Sequence, residues 1–132
     1  KEMRMLSNFS RAEFDLYGIR WPSSEHAFQA ILKVERCDWE RFSVNGDLGN
    51  LESGFKLLES SENKVKYWGS KKNGKLEMVG IVAKMSVRNG EKLGLKMKKQ
   101  NHSFDDMSKL FLKILLKKYK SNENHRKGEI RN

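Results

Sequence analysis

The chain has 132 residues, of which 37% are hydrophobic and 33% charged, so it can form one domain with one modest core. It contains no run of about 18 apolar residues and no apolar signal core near its start, which excludes a transmembrane helix and predicts a cytoplasmic protein without a membrane partner. A single cysteine excludes an intramolecular disulfide, and without clustered cysteines or histidines we expect neither a metal site nor a cofactor. The net charge of +10 favours an acidic or phosphorylated partner.

Two short strands are predicted near the start of the chain. In the stretch FDLYGIRW, residues 14–21, strand-forming residues flank the turn pair Tyr17-Gly18. Pro22 then ends the second strand. We therefore expect a small β-hairpin.

A buried helix is predicted after the hairpin. Ser23 is suited to the N-cap position, and Ser24 and Glu25 follow in the first turn. The apolar residues cover a broad face and comprise Ala27, Phe28, Ala30, Ile31, Leu32 and Val34. Such a face predicts burial on most sides, and we expect the helix to fray near Arg36.

The middle of the chain is less regular. Residues 37–50 predict a short helical piece and then a loop around Asn45-Gly46. Residues 51–61 predict one more short helix, which Gly54 weakens.

A helix is predicted over residues 76–88, with Met78, Ile81, Val82 and Met85 on one face. The following residues, 89–103, are loop-like and contain Leu93, Leu95 and Met97 as apolar anchors.

The positive charge is concentrated in the second half of the chain. Residues 1–63 carry a net charge of −3, residues 64–100 carry +9, and residues 101–132 carry +4. A lysine-rich solvated face, a nucleic-acid surface and a site for a phosphorylated small molecule are all consistent with this distribution.

The clearest helix spans residues 103–119. Ser103 is its predicted cap, acidic residues lie at its positive end, and Lys117 and Lys118 lie at its negative end. Its core stripe comprises Met107, Leu110, Phe111, Ile114 and Leu115. We expect residues 1–120 to form a single domain and residues 121–132 to form a flexible basic tail.

The first helix carries an unusual polar stripe. Glu25, Gln29 and Lys33 follow one another at intervals of four residues, so they lie on one side of the helix. The first-turn amides and the helix dipole stabilise the carboxylate of Glu25. The spacing is compatible with two interpretations. The stripe forms the wall of a pocket, or Glu25 caps the helix with Ser23 while Gln29 and Lys33 face solvent.

A second candidate site is the stretch YWGSKKNG, residues 67–74. The ring of Trp68 could stack on a planar base, and Gly69, Lys71 and Lys72 could hold phosphate groups. The stretch matches no established phosphate-binding consensus, and a core tryptophan beside a solvated turn also explains it.

Together these segments resemble the NADAR superfamily, the YbiA-like proteins. The stretches LSNFS, FDLYGIRW and WPSSEHAFQAILK, within residues 6–33, follow the order and spacing of the family's first motif. The stretch KYWGSKKNGKLEMVGIVAKMSVR, residues 66–88, is similar to its second motif.

The resemblance implies a mainly helical fold with a small N-terminal β-hairpin. It implies a hydrolase that cleaves the N-glycosidic bond of a ribose-phosphate compound, either an ADP-ribosylated nucleobase or a phosphorylated riboflavin intermediate. Glu25 would stabilise the cationic ribose or orient water, and Gln29 would hold a ribose hydroxyl or that water. The expected ligand contacts are Asn8, Phe9, Trp21, His26, Lys33, Trp68, Gly69, Lys71, Lys72 and Glu77.

The chain departs from the family pattern at several positions. Val65 stands where the family has an aspartate, and Glu77 lies nearest the position of a family asparagine and could supply a second carboxylate. Three functions follow as expectations: an N-glycosidase acting on an ADP-ribose- or NAD-like ligand, with nucleic acid carrying ADP-ribose among the possible substrates; a non-catalytic module that binds ADP-ribose or NAD; and a basic nucleic-acid-binding protein.

Overall fold

The computed structural model describes residues 10–49, 71–72, 75–76, 79–99 and 102–131. The protein is mostly helical and has a small two-stranded antiparallel hairpin near its N-terminus, as the sequence predicts. The elements in chain order are β1 (Phe14–Leu16), β2 (Ile19–Trp21), α1 (Ser24–Lys33), a 3₁₀ helix (Arg36–Phe42), β3 (Lys71–Lys72), β4 (Lys75–Leu76), α2 (Gly80–Arg88) and α3 (Phe104–Arg131).

The N-terminal hairpin forms at the predicted turn. Tyr17 and Gly18 both have positive φ values, 55° and 75°, which matches the right-handed twist of the two strands. Phe14 pairs with Trp21, and both side chains are buried against the helices. Alternation therefore directs the apolar face of the hairpin into the core.

Helix α1 lies at the centre of the molecule. It packs against α2, α3, the 3₁₀ helix and β2, which is why nearly every one of its residues is buried. It ends at Lys33 rather than near Arg36, because Val34 is extended and forms a β-bridge with Met97. Backbone bonds from Glu35 to the carbonyl of Lys96 and from Lys98 to that of Lys33 extend this pairing.

Helix α2 begins later than predicted. The prediction placed its start at Leu76, but Leu76 belongs to β4 and pairs with Lys71 in β3. The sequence signal for this second hairpin is the pair Asn73-Gly74, which favours a tight turn between antiparallel strands. Apolar residues of α2 contribute to the core as predicted, since Val82 and Met85 are buried.

Helix α3 is longer than predicted. Asp106 donates its backbone N–H to Ser103 Oγ at 3.1 Å, which confirms the predicted cap. The helix continues to Arg131 instead of ending near Tyr119, and the chain offers no proline to stop it. Lys118 is therefore an interior position of the helix, and burial lowers the pKa of its ammonium group. No helix in the described part of the chain is long and apolar enough to cross a bilayer.

Helix α3 contacts the rest of the protein through residues of its predicted core stripe, of which only some are fully buried. Ile114 is fully buried, and Phe111 packs edge-on against Phe28 of α1 with ring centroids 6.2 Å apart. Tyr17 reaches α3 from the hairpin turn, where its hydroxyl accepts a 2.8 Å hydrogen bond from Lys113 Nζ. The hairpin and α1 therefore share α3 as a common packing partner.

Candidate functional site

The first turn of α1 holds a buried carboxylate–amide pair. Glu25 is 9% exposed and Gln29, one turn later, is 7% exposed. Gln29 Nε2 donates a 2.6 Å hydrogen bond to Glu25 Oε1. A buried amide donor so close to the carboxylate holds it in one orientation and stabilises its negative charge. Glu25 and Gln29 are therefore buried rather than solvent-facing, and their place in a pocket wall stays a prediction.

The N-cap explains why the chain begins a helix at this point. Ser23 Oγ accepts the backbone N–H of His26 at 3.2 Å, which satisfies one of the amides that a helix leaves unpaired at its start. Glu25 lies beside the remaining first-turn amides, where a negative charge is stabilised by the helix dipole. The cap therefore positions the candidate catalytic carboxylate.

His26 joins this turn to a distant loop. Its Nε2 lies 3.0 Å from the carbonyl oxygen of Leu48, and its Nδ1 lies 2.7 Å from Ser23 Oγ. Because a carbonyl only accepts, the proton belongs on Nε2, and Nδ1 then accepts from the serine hydroxyl. Burial lowers the pKa of His26 to about 4, so the ring is neutral at physiological pH.

Two of the predicted ligand contacts are core residues in the structure. Both ring nitrogens of His26 are engaged within the protein, so a ligand contact would require breaking one of these bonds. Trp21 has no exposed surface, and its indole N–H donates to the carbonyl of Leu16 at 2.9 Å. Stacking of Trp21 on a base, which the resemblance implies, is therefore corrected to a packing role.

Lys33 lies at the opposite end of α1 from Glu25. Eight residues of helix separate their Cα atoms by about 12 Å. Lys33 is exposed, whereas Glu25 is buried. The structure therefore does not bring Lys33 and Glu25 together.

Several predicted residues lie outside the described part of the structure. These are Asn8, Phe9, Trp68, Gly69 and Glu77, together with Val65. Lys71 and Lys72 form strand β3, and only their backbone is described. Their relation to Glu25 stays a prediction.

A cluster of aromatic rings and cations at the C-terminal end of α1 was not predicted. Arg36 lies 4.9 Å and Lys98 5.6 Å from the ring centroid of Trp39. Lys113 lies 4.6 Å from the ring centroid of Tyr17, which in turn contacts Trp39. These residues come from four separate segments, so no local sequence signal could have brought them together.

Two open cavities among the described residues lie away from Glu25. One, of about 330 Å³, follows the end of α2 and is lined by residues that include Arg88, Lys92 and Met97. The other, of about 280 Å³, is apolar and lies between Phe28 and α3. Across the described ranges, no three histidine, cysteine, aspartate or glutamate side chains converge in a way that could hold a metal ion.

Comparisons with known proteins leave the chain without a match. No family model matches it, and neither a curated protein nor a solved structure does so. The resemblance of residues 6–33 and 66–88 to the NADAR superfamily therefore rests on the motif residues themselves.

Proposed function

We propose that this protein is a hydrolase that cleaves the N-glycosidic bond between a phosphorylated ribose and a nitrogen base. The observation that carries the proposal is the buried Glu25 carboxylate held by Gln29 in the first turn of α1. A carboxylate fixed in this way, in surroundings largely shielded from water, suits a reaction that develops positive charge on a sugar. The Glu-His-x-Phe-Gln pattern of the resemblance supports the same assignment.

The proposed reaction needs one water molecule. The bond between C1′ and nitrogen breaks, and its electron pair stays on the leaving base while C1′ becomes oxocarbenium-like. Glu25 stabilises this cation and accepts a proton as the water oxygen bonds to C1′. The base nitrogen takes up a proton from solvent, and the products are the phosphorylated ribose and the base, which stays in the strand when the substrate is a nucleic acid. Gln29 keeps the carboxylate in position throughout.

The proposed substrates are ADP-ribosylated nucleobases, including those in nucleic acid, and phosphorylated riboflavin intermediates. The exposed Lys33, with Lys71 and Lys72, would neutralise the phosphate groups. The free and exposed thiol of Cys37 is typical of a reducing compartment, so a cytoplasmic location forms part of the proposal.

Replacement of Glu25 by glutamine tests the proposal directly. We expect Glu25→Gln to lower kcat by about 100-fold or more, the scale of one acid–base or electrostatic group, because the neutral amide can neither stabilise the cation nor accept the proton. Turnover is measured as ADP-ribose released from ADP-ribosylated DNA and from ADP-ribose conjugates, and as base released from the flavin intermediate. Circular dichroism and thermal unfolding check that the variant is folded.

Glu40→Gln is the matched control, because Glu40 is an exposed carboxylate on the neighbouring 3₁₀ helix. It should retain wild-type turnover. A folded Glu25→Gln protein with full activity would show that Glu25 has no catalytic role.

Two other functions would give different results with the same wild-type protein. A non-catalytic ADP-ribose- or NAD-binding module, which Val65 in place of the family aspartate favours, would bind ligand without releasing base. A basic nucleic-acid-binding protein, which the net charge of +9 in residues 64–100 favours, would bind unmodified strands with an affinity that falls steeply as salt rises.

A further inference from the structure

Ser24 carries a buried hydroxyl group without a partner among the described residues. The residue is 1% exposed, and its Oγ makes no hydrogen bond within that part of the chain. It is the first residue of α1 and directly precedes Glu25. Leaving a hydroxyl buried and unpaired is destabilising, so a stable protein seldom retains one without a reason.

Other buried serines show what a purely structural hydroxyl does in this protein. Ser23 Oγ lies within hydrogen-bonding distance of His26 Nδ1. Ser86 has no exposed surface, and its hydroxyl donates a 2.6 Å bond to the carbonyl of Val82. Ser24 differs from both, because none of the residues that the structure describes forms a hydrogen bond with its hydroxyl.

The position of Ser24 determines which kind of group could pair with it. Cα–Cβ bonds of a helix tilt toward its N-terminus, so the short side chain of Ser24 leans toward the end where the first-turn amides are unpaired. A helix N-terminus usually attracts an anion, but the carboxylate of Glu25 already supplies one in this turn. A phosphate beside that carboxylate would be repelled, whereas a neutral hydroxyl would not.

We propose that Ser24 is a specificity-determining residue that hydrogen-bonds a hydroxyl of the ribose whose C1′ reacts. This inference rests on the proposed function and adds to it the recognition of the sugar. The serine hydroxyl can donate to the sugar oxygen, and the sugar hydroxyl can in turn donate to Glu25, whose Oε2 accepts no hydrogen bond from the described residues. A ribose would therefore satisfy both groups at once, while a deoxyribose at that position would leave Ser24 unpaired.

Two ligands and three proteins test this inference. Wild type, Ser24→Ala and Ser86→Ala are titrated calorimetrically with ADP-ribose and with an ADP-ribose analogue that lacks a hydroxyl on the terminal ribose. We expect Ser24→Ala to bind ADP-ribose about tenfold more weakly than wild type does, the scale of one hydrogen bond. Wild type should prefer ADP-ribose over the analogue about tenfold more strongly than Ser24→Ala does, because the variant keeps only the bond from the sugar hydroxyl to Glu25.

Thermal unfolding provides a readout that does not depend on ligand. Ser24→Ala should unfold at the same temperature as wild type or at a higher one, because it removes an unpaired buried hydroxyl. Ser86→Ala should unfold at a lower temperature and keep wild-type affinity. A large loss of stability in Ser24→Ala would show that its hydroxyl is paired within the protein and would overturn the inference.

The outcomes separate this inference from the proposed function. Equal affinity of wild type and Ser24→Ala for ADP-ribose, with turnover intact in both, overturns the role of Ser24 and leaves the hydrolase standing. A wild-type protein that neither binds nor cleaves any of the ribose compounds overturns both.

Discussion

His26 illustrates how a motif residue can serve the site without touching a ligand. It stands next to Glu25 in the chain, but its ring contacts Ser23 and Leu48. The neutral ring holds the N-cap hydroxyl and the loop carbonyl in place, and the cap in turn positions Glu25. A histidine beside a candidate catalytic glutamate can thus act as a structural bridge rather than as an acid or base.

The buried, neutral state of His26 predicts a loss of stability in mild acid. The pKa is about 4 in the folded protein and about 6.5 in the unfolded chain, so the unfolded chain takes up the proton first as pH falls. The stabilisation is complete above pH 6.5 and is lost between pH 6.5 and 4. We expect the free energy of unfolding to fall by about 2–3 kcal/mol over this window, measured by urea unfolding at several pH values.

His26→Gln isolates this effect from the titration of carboxylates. The variant lacks the titrating ring, so its free energy of unfolding should fall less between pH 7 and 4.5 than that of wild type. Identical pH profiles for the two proteins would contradict a neutral, buried His26.

At the scale of elements, the loop after the 3₁₀ helix positions α1 through one tight turn. Gly49 has no room for a side chain, since a Cβ atom there would overlap the backbone carbonyl of Ser43. The close approach places Leu48 in the core and its carbonyl against His26. The loop therefore contacts the first turn of α1 through the bond between Leu48 and His26.

Gly49→Ala should consequently destabilise the protein by about 3 kcal/mol, because the overlap is with backbone and cannot be relieved by a rotamer change. Urea unfolding measures the difference. Gly94→Ala is the control: Gly94 has a φ of 71° but open space around it, so only the strain of about 1–2 kcal/mol applies. A Gly49→Ala protein as stable as Gly94→Ala would contradict the tight turn.

At the scale of the whole molecule, Arg41 connects the two halves of the chain. Its guanidinium donates to both carboxylate oxygens of Asp47, at 3.1 and 2.8 Å, and to the carbonyl of Leu93 at 2.6 Å. The bonds to Asp47 raise the pKa of the guanidinium above its ordinary value. The bidentate ion pair with Asp47 fixes the guanidinium, and the bond to Leu93 joins the acidic first half of the chain to the basic loop that follows α2.

Arg41→Ala should lower the free energy of unfolding by about 1–2 kcal/mol, because a partly buried, two-pronged ion pair and a long-range bond to a carbonyl are lost together. Arg11 provides the comparison, since it forms a single-contact ion pair with Glu13 on the surface. Arg11→Ala should change the stability by less than about 0.5 kcal/mol. Equal effects in denaturant titrations would show that Arg41 does not join the two halves.

Local signals predicted the elements whose information lies within a few residues. Tyr17-Gly18 marked the hairpin turn, and Ser23 and Ser103 marked the two helix caps, because each depends on neighbouring backbone groups. Helix ends were predicted less well, since Val34 stops α1 only by pairing with Met97. The candidate pair of Glu25 and Gln29 was predictable because a spacing of four residues brings two side chains together on any helix.

Turn chemistry and helical periodicity are local, so the amino-acid sequence alone predicts the hairpin, the cap of α1 and the shared face of Glu25 and Gln29. The folded chain adds that this pair is buried, that His26 and Trp21 belong to the core, and that the hydroxyl of Ser24 has no partner among the described residues. The reason is physical: burial and the pairing of polar groups depend on which distant segments, such as the Leu48 loop, pack against a residue. No pattern within a single helix contains that information.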